Sequence, residues 1–260
     1  MKSYTTFTIL NFALALSLLQ ITAGQASAQA LAASSTKPLP TVDQLIEANV
    51  EAIGGKAAIE KVKSRVSKGT AEVVGLESKG TIEVYEQAPD KLVRIVKIPG
   101  VMAWATGFDG AAGWWFNAEN NKVDEKKGKD LANAKAEADF YQTLKLKERF
   151  PKMSVTGVQK IQYRGGERET YVVEASPGSP EKFYFDSENS LMIRHDSEED
   201  SEDGKLTVRE FYLDYTAVDG VKIPFTTRIN QGKVVFLFKL SEVKHNIAIA
   251  AARFNKPAVR

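Results

Sequence analysis

From Arg65 onward the chain alternates polar and apolar residues with a period of two, and it keeps that period for most of its remaining length. Four consecutive apolar runs break the alternation: "WWF" at Trp114, "FYF" at Phe183, "FYL" at Phe211 and "VVFLF" at Val234. Neighbouring side chains on a strand point to opposite faces, so these runs put apolar groups on both faces of one sheet. Trp114 and Trp115 therefore cannot share a core, and parity alone does not choose which of them faces inward. Helices can cover one face. The other needs closure into a packed barrel or a cavity that receives a guest.

Segments such as "KGTIEVYEQA", "KLVRIVKI", "VMAWATGF" and "GWWFN" follow one another through the turns "APD", "PG" and "FDG". A second run, from "SVTGVQKIQYR" to "KVVFLFKLSEV", is divided by "GG", "SPGSP", "SENS", an acidic loop and "VDG". This is an antiparallel meander with more strands than a flat open sheet holds, so the sheet must curl or close on itself. The fold class expected is mainly β with helices (α+β). No period of some 20 to 50 residues marks a repeat array.

Two helical regions interrupt the pattern. Thr41 and Gln44 form a capping-box pair ahead of Val42, Leu45, Ile46, Val50 and Ile53, and Gly54-Gly55 ends that helix before a short turn of helix over Lys56 to Lys63. Asp130 to Phe150 reads as one further helix, with Leu131, Ala134, Ala138, Tyr141 and Leu144 on a stripe and Pro151 as the stop.

Residues 1–30 read as a secretory signal peptide: Lys2, an apolar stretch from Ile9 to Ile21, and A-x-A sites at Ala26 to Ala28 or Ala28 to Ala30. Residues 31–40 read as a disordered linker and 41–260 as a single domain, exported to the periplasm and without a membrane span after cleavage. Cysteine is absent, which removes disulfides, thiol catalysis and thiolate metal sites. A formal charge of +2, with basic residues scattered, offers no patch for nucleic acid.

Reactive constellations are sparse. His195 and His245 lie far apart, there is no G-x-S-x-G, H-E-x-x-H or G-x-x-x-x-G-K-[ST], and Asp109, Asp186 and Asp219 stand at turns where the carboxylate bonds local backbone. The acidic loop from Asp196 partly matches a calcium loop, with Glu199, Ser201, Asp203, Gly204 and Glu210 in register, but strand-like flanks favour a solvated hairpin tip. The expectation is a non-enzymatic protein with no catalytic residue, metal or cofactor.

Aromatic surface remains. Met102, Trp104 and Phe108 share one face of a strand whose other face, Val101, Ala103, Ala105 and Gly107, is small enough to lie against a helix. Phe183 and Phe185 share a face, as do Phe236 and Phe238. Ordinary core packing and the wall of a ligand cavity both account for such residues.

"EAIGGKAAIEKVKSRVSKGTAEV", "PDKLVRI", "GFDGAAGWWFN", "ADFYQTLKLKERFP", "KFYFDSENSLMIR" and "YTAVDGVKIPFTTRI", in that order, resemble the outer-membrane lipoprotein carrier (LolA-like) superfamily, and within it the modules common in acidobacteria. The resemblance implies a strongly curved antiparallel half-barrel wrapped around helices, with an apolar cavity between them that in the true carriers shelters acyl chains. The wall residues expected on this reading are Met102, Trp104, Trp114, Phe116, Phe140, Tyr141, Phe183, Phe185, Phe236 and Phe238. The function expected is a periplasmic carrier for a lipid, acyl chain or similar apolar ligand. The alternative is a scaffold module, its core filled, that docks another envelope protein.

Overall fold

Thr41 starts the first helix as its sequence dictates. Its Oγ1 accepts from the Gln44 N–H at 3.2 Å and its own N–H donates to Gln44 Oε1 at 2.8 Å, capping α1 (Val42–Ala52). The computed structural model describes residues 38–175, 180–201 and 204–258; the expected signal peptide, residues 31–37 of the expected linker, and Glu202 and Asp203 of the acidic loop lie outside the described residues. Beyond α1, Gly54 has a φ of +125°, and a Cβ there would sit 2.1 Å from the Gly220 carbonyl oxygen. Only glycine permits that approach, which lets the Lys222 N–H donate to the Ile53 carbonyl at 2.7 Å. A second helix, α2 (Lys56–Lys61), follows at once.

Six strands form the first meander: β1 (Ser64–Val73), β2 (Lys79–Gln87), β3 (Lys91–Ile98), β4 (Met102–Phe108), β5 (Gly113–Asn117) and β6 (Lys122–Glu125). After a helical crossing come β7 (Ser154–Tyr163), β8 (Gly166–Glu174), β9 (Lys182–Asp186), β10 (Met192–Ser201), β11 (Gly204–Val218), β12 (Val221–Gln231) and β13 (Val234–His245). All join one antiparallel 13-stranded sheet in the order β6-β5-β4-β3-β2-β1-β13-β12-β11-β10-β9-β8-β7. The seam between the meanders is β1 against β13, running from Arg65 opposite His245 to Val73 opposite Phe236, with a bulge at Lys68/Gly69. β6 and β7 are the two edges, so the sheet curls without closing.

The crossing differs from the single helix expected over Asp130 to Phe150. It divides into α3 (Gly128–Ala138), a 3-10 turn (Gln142–Lys145) and α4 (Leu146–Arg149). Asp139 breaks it: its Oδ1 accepts from the Tyr141 N–H at 3.0 Å, and the Phe140 N–H turns away to the Pro89 carbonyl at 2.9 Å. A short aspartate side chain here outcompetes the helical ladder.

Curvature is visible in what meets across the sheet. α3 packs on β3 and β4 through Leu131, Ala134 and Ala138 against Leu92 and Phe108. Lys129 of the same helix pairs at 3.7 Å with Asp200 on β10. β4 and β10 are seven strand steps apart in the sheet order, about 34 Å along a flat sheet at the usual strand spacing. An 11-residue helix is only about 16 Å long, so the sheet folds over to meet it.

The four α-helices among the described residues lie on the concave face. Leu45 of α1 and Leu146 of α4 cover Val173, Phe183 and Phe185, while Ile59 of α2, with Val50 and Ile53, covers Val221 and Ile223. On the convex face a 3-10 turn, Ala251–Phe254, drops Phe254 among Val66, Tyr85, Val93, Ala105 and Trp114. The small face of β4 accordingly receives the neighbouring strand and the C-terminal segment instead of a helix. Gly107 is opposite Trp114, and a Cβ there would come within 2.5 Å of the indole ring.

Candidate binding surface

The β4–β5 hairpin decides which tryptophan enters the cup. Its loop is held by Asp109, whose Oδ1 accepts from the Ala111 and Ala112 N–H groups at 2.9 and 2.7 Å. Those backbone donors, Ala112 foremost, hold the Asp109 carboxyl below the usual aspartate range. Phe108 then pairs with Gly113, Thr106 with Trp115, and Gly107 with Trp114. Residues opposite one another share a face. Trp115 therefore lies on the concave side with Phe108, Thr106 and Trp104, and Trp114 lies on the convex side.

Trp115 stacks on Trp104, ring centroids 4.9 Å apart at 21°. Trp104, Met102 and Val84 pack against buried Ile82, Val96 and Ile98 in a group that also takes in Phe236 and Phe238 of β13, whose rings stack at 6.4 Å. Trp115 keeps 37% of its surface exposed, and Met102, Trp104, Phe236 and Phe238 are half-buried. At the rim of the patch an open depression of about 390 Å³ is lined by Ile98, Pro99, Val101, Met102 and Glu119 among others. Beneath α3 the packing is closed: Leu92, Thr106, Phe108 and Ala134 leave no room for a water molecule.

The ten residues expected to form one wall separate into four places. Met102, Trp104, Phe236 and Phe238 come together on the concave face. Phe183 and Phe185 share that face but lie beneath α1 and α4 at 3% and 1% exposure, so they are core. Phe140 and Tyr141 fill the middle of the cup: Phe140 packs with Ile59 and Val221, and the Tyr141 hydroxyl donates to the Val62 carbonyl and accepts from Lys63 Nζ, both at 3.0 Å. Trp114 and Phe116 are corrected outright, since both pack on the convex side with Ala105 and Phe254. Trp115, absent from the expected set, belongs to the patch; the four-residue loop "DGAA" between Phe108 and Gly113 is the signal that would have placed it.

Polar groups are set among these apolar ones. Arg65 on β1 grips Glu86 on β2 through two hydrogen bonds of 2.6 Å, beneath the Phe140 ring. Burial works against the Arg65 charge, but the Glu86 carboxylate outweighs it and the guanidinium pKa is raised. The Tyr212 hydroxyl on β11 donates to Glu210 Oε2 at 2.8 Å; burial, then that carboxylate, pushes its pKa well up, and the Arg94 charge partly opposes them. The His245 side chain is 1% exposed. Its Nδ1 lies 3.3 Å from Asp219 Oδ2 without the alignment a hydrogen bond needs, and neither ring nitrogen has a hydrogen-bond partner.

His195 stacks on Phe183 at 4.6 Å and contacts Glu181 at 3.3 Å, and Asp186 binds the Glu188 and Asn189 N–H groups of its own turn. The acidic segment forms a hairpin in which Glu199 faces Leu206 and Glu210 faces His195. Glu199 and Glu210 are thereby about 13 Å apart along the strands, too far to share one ion. Among the described residues no group of three or more His, Cys, Asp or Glu is placed to hold a metal, and no helix is long and apolar enough to cross a membrane.

No family model matches the chain, and no curated protein matches it. Solved structures match in shape. A DUF1329 family protein from Desulfovibrio piger is 10% identical with a TM-score of 0.55, the match covering 84% of this chain and 99% of that one. A LolA superfamily protein from Nitrosomonas europaea is 12% identical with a TM-score of 0.52, again over 84% and 99%. The chain has a LolA-like fold: an open, strongly curved antiparallel sheet with a few helices in its cup. These likenesses are of fold alone, and they lend no support to the narrower resemblance to acidobacterial modules.

Proposed function

We propose that the protein is a non-enzymatic binding module of the bacterial envelope that holds an acyl chain on the concave face of its sheet. The observation that carries this reading is the Trp104–Trp115 stack, joined to Met102, Phe236 and Phe238 on the cup side and left uncovered by the helices. Apolar surface that stays half-exposed while Phe183 and Phe185 on the same face are sealed under helices is surface suited to a guest. Each methylene taken from water contributes about 0.8 kcal/mol, so affinity needs contact area and grows with chain length. The signal-like N-terminus and the LolA-like fold support an exported, periplasmic setting.

The test is titration of the purified protein with a fluorescent fatty acid, followed by displacement with unlabelled chains of increasing length. Saturable binding that tightens with length, and that is lost in a folded Trp104→Glu variant, is expected. Failure of the probe to bind, or equal binding by that variant, overturns the proposal. Native mass spectrometry showing a protein partner and no co-purified lipid would turn the reading to a scaffold.

A further inference from the structure

The concave face presents two arginines near the apolar patch, and they differ in one respect. Arg65 is engaged by Glu86. Arg94, in the middle of β3, makes no ion pair and no hydrogen bond among the described residues, although it is half-buried. Register places it in one cross-strand row, Trp115–Thr106–Arg94–Val84, so a single strand, β4, separates it from Trp115 and it is a diagonal neighbour of Trp104. Glu210, the carboxylate across the cup, accepts the Tyr212 hydroxyl at 2.8 Å and makes no ion pair with Arg94 among the described residues. A half-buried guanidinium with no ion pair and no hydrogen bond has given up part of its hydration without gaining an acceptor for its N–H groups.

We propose that Arg94 is the headgroup site of the acyl-binding surface, so that the ligand is a long-chain carboxylate whose acid binds Arg94 while its tail lies on Trp104 and Trp115. This rests on the acyl-binding reading above and sharpens it. The planar two-nitrogen edge of guanidinium fits a carboxylate with two parallel hydrogen bonds. One guanidinium carries one positive charge, which a carboxylate balances and a phosphate monoester, with close to two negative charges, exceeds. The Thr106 hydroxyl is committed to the Trp114 carbonyl at 3.0 Å, and Asp124, opposite Trp115 at the end of the row, is paired with Lys122 at 2.9 Å, which leaves Arg94 as the cation of that row.

The experiment compares dodecanoate, dodecanol and dodecyl phosphate as competitors of the fluorescent probe, using the full-length protein and its Arg94→Leu and Arg94→Lys variants. Wild type is expected to bind dodecanoate about ten-fold more tightly than dodecanol, the scale of a charge-assisted hydrogen bond. Arg94→Leu should erase that preference while leaving dodecanol unchanged, and Arg94→Lys, which keeps charge but not the fork, should retain part of it. An undiminished preference in Arg94→Leu, no preference in wild type, or a preference for dodecyl phosphate would overturn the assignment while the acyl-binding reading stands. Should wild type bind none of the three, both fall together. If Arg94→Leu does not fold, Arg94→Lys decides: equal preference to wild type refutes a bidentate carboxylate site.

Discussion

Trp114 donates its indole N–H to the carbonyl of Phe254, 3.1 Å away and 140 residues further along the chain. Both side chains are almost fully buried, at 2% and 1% exposure. This bond fastens the C-terminal segment to the convex face, where Gly107 lets the indole lie flat against the neighbouring strand. Trp115, the next residue, faces the cup, so on the proposed reading the two adjacent tryptophans separate stability from binding.

Trp114→Phe keeps most of the buried area but leaves the Phe254 carbonyl without its donor, and it should cost about 1–3 kcal/mol in urea unfolding. Trp114→Ala adds a cavity and should cost about 3–5 kcal/mol. Acyl-probe affinity of the folded Trp114→Phe protein should match wild type; a weakened affinity would mean that the convex face communicates with the cup.

Trp115→Ala should behave in the reverse manner. With over a third of the ring exposed, the loss of stability should stay near 1 kcal/mol, the scale of an aromatic pair. Probe binding should weaken several-fold. Unfolding midpoints and fluorescence titrations on the same samples separate the two effects.

Glu86→Gln leaves Arg65 without its counter-charge on a face that water only partly reaches. Because the Arg65 side chain retains 28% exposure, the expected cost is about 2 kcal/mol, below that of a fully buried pair. A change under about 0.5 kcal/mol would show that solvent replaces the carboxylate.

His245 gives the fold a pH dependence of definite sign. Burial, and then the Arg65 cation, lower its pKa, with Asp219 and Glu86 opposing them. A histidine whose folded pKa lies below its unfolded value near 6.5 leaves stability untouched above that pH. It removes stability as pH falls from there through the folded pKa, because the unfolded chain binds the proton first. Comparing wild type with His245→Phe at pH 8 and pH 5 by thermal unfolding, the drop on acidification should be smaller in the variant.

Local signals carried much of this architecture. The Thr41–Gln44 cap, the period of two and the shared faces of Met102 with Trp104, Phe183 with Phe185 and Phe236 with Phe238 are set by neighbours a few residues away. They are present in the folded protein as the sequence implies. What escaped depends on distant partners. Nothing near Phe183 announces that Leu45 will cover it, and only the pairing of Phe108 with Gly113 settles that Trp115 turns inward. The break at Asp139 required weighing one side-chain hydrogen bond against an otherwise helical stripe. Arg94 escaped because a free cation is recognised by the absence of a partner, which a sequence does not display.

The β1–β13 seam carries a consequence for assembly. Its strands meet across most of the chain, from Arg65 to His245, so one of the earliest strands synthesised gains its second neighbour only when nearly the last has emerged. Until then the first meander has two raw borders in place of one. A chain built in this way reaches its finished shape late, only once its last long strand is free to dock.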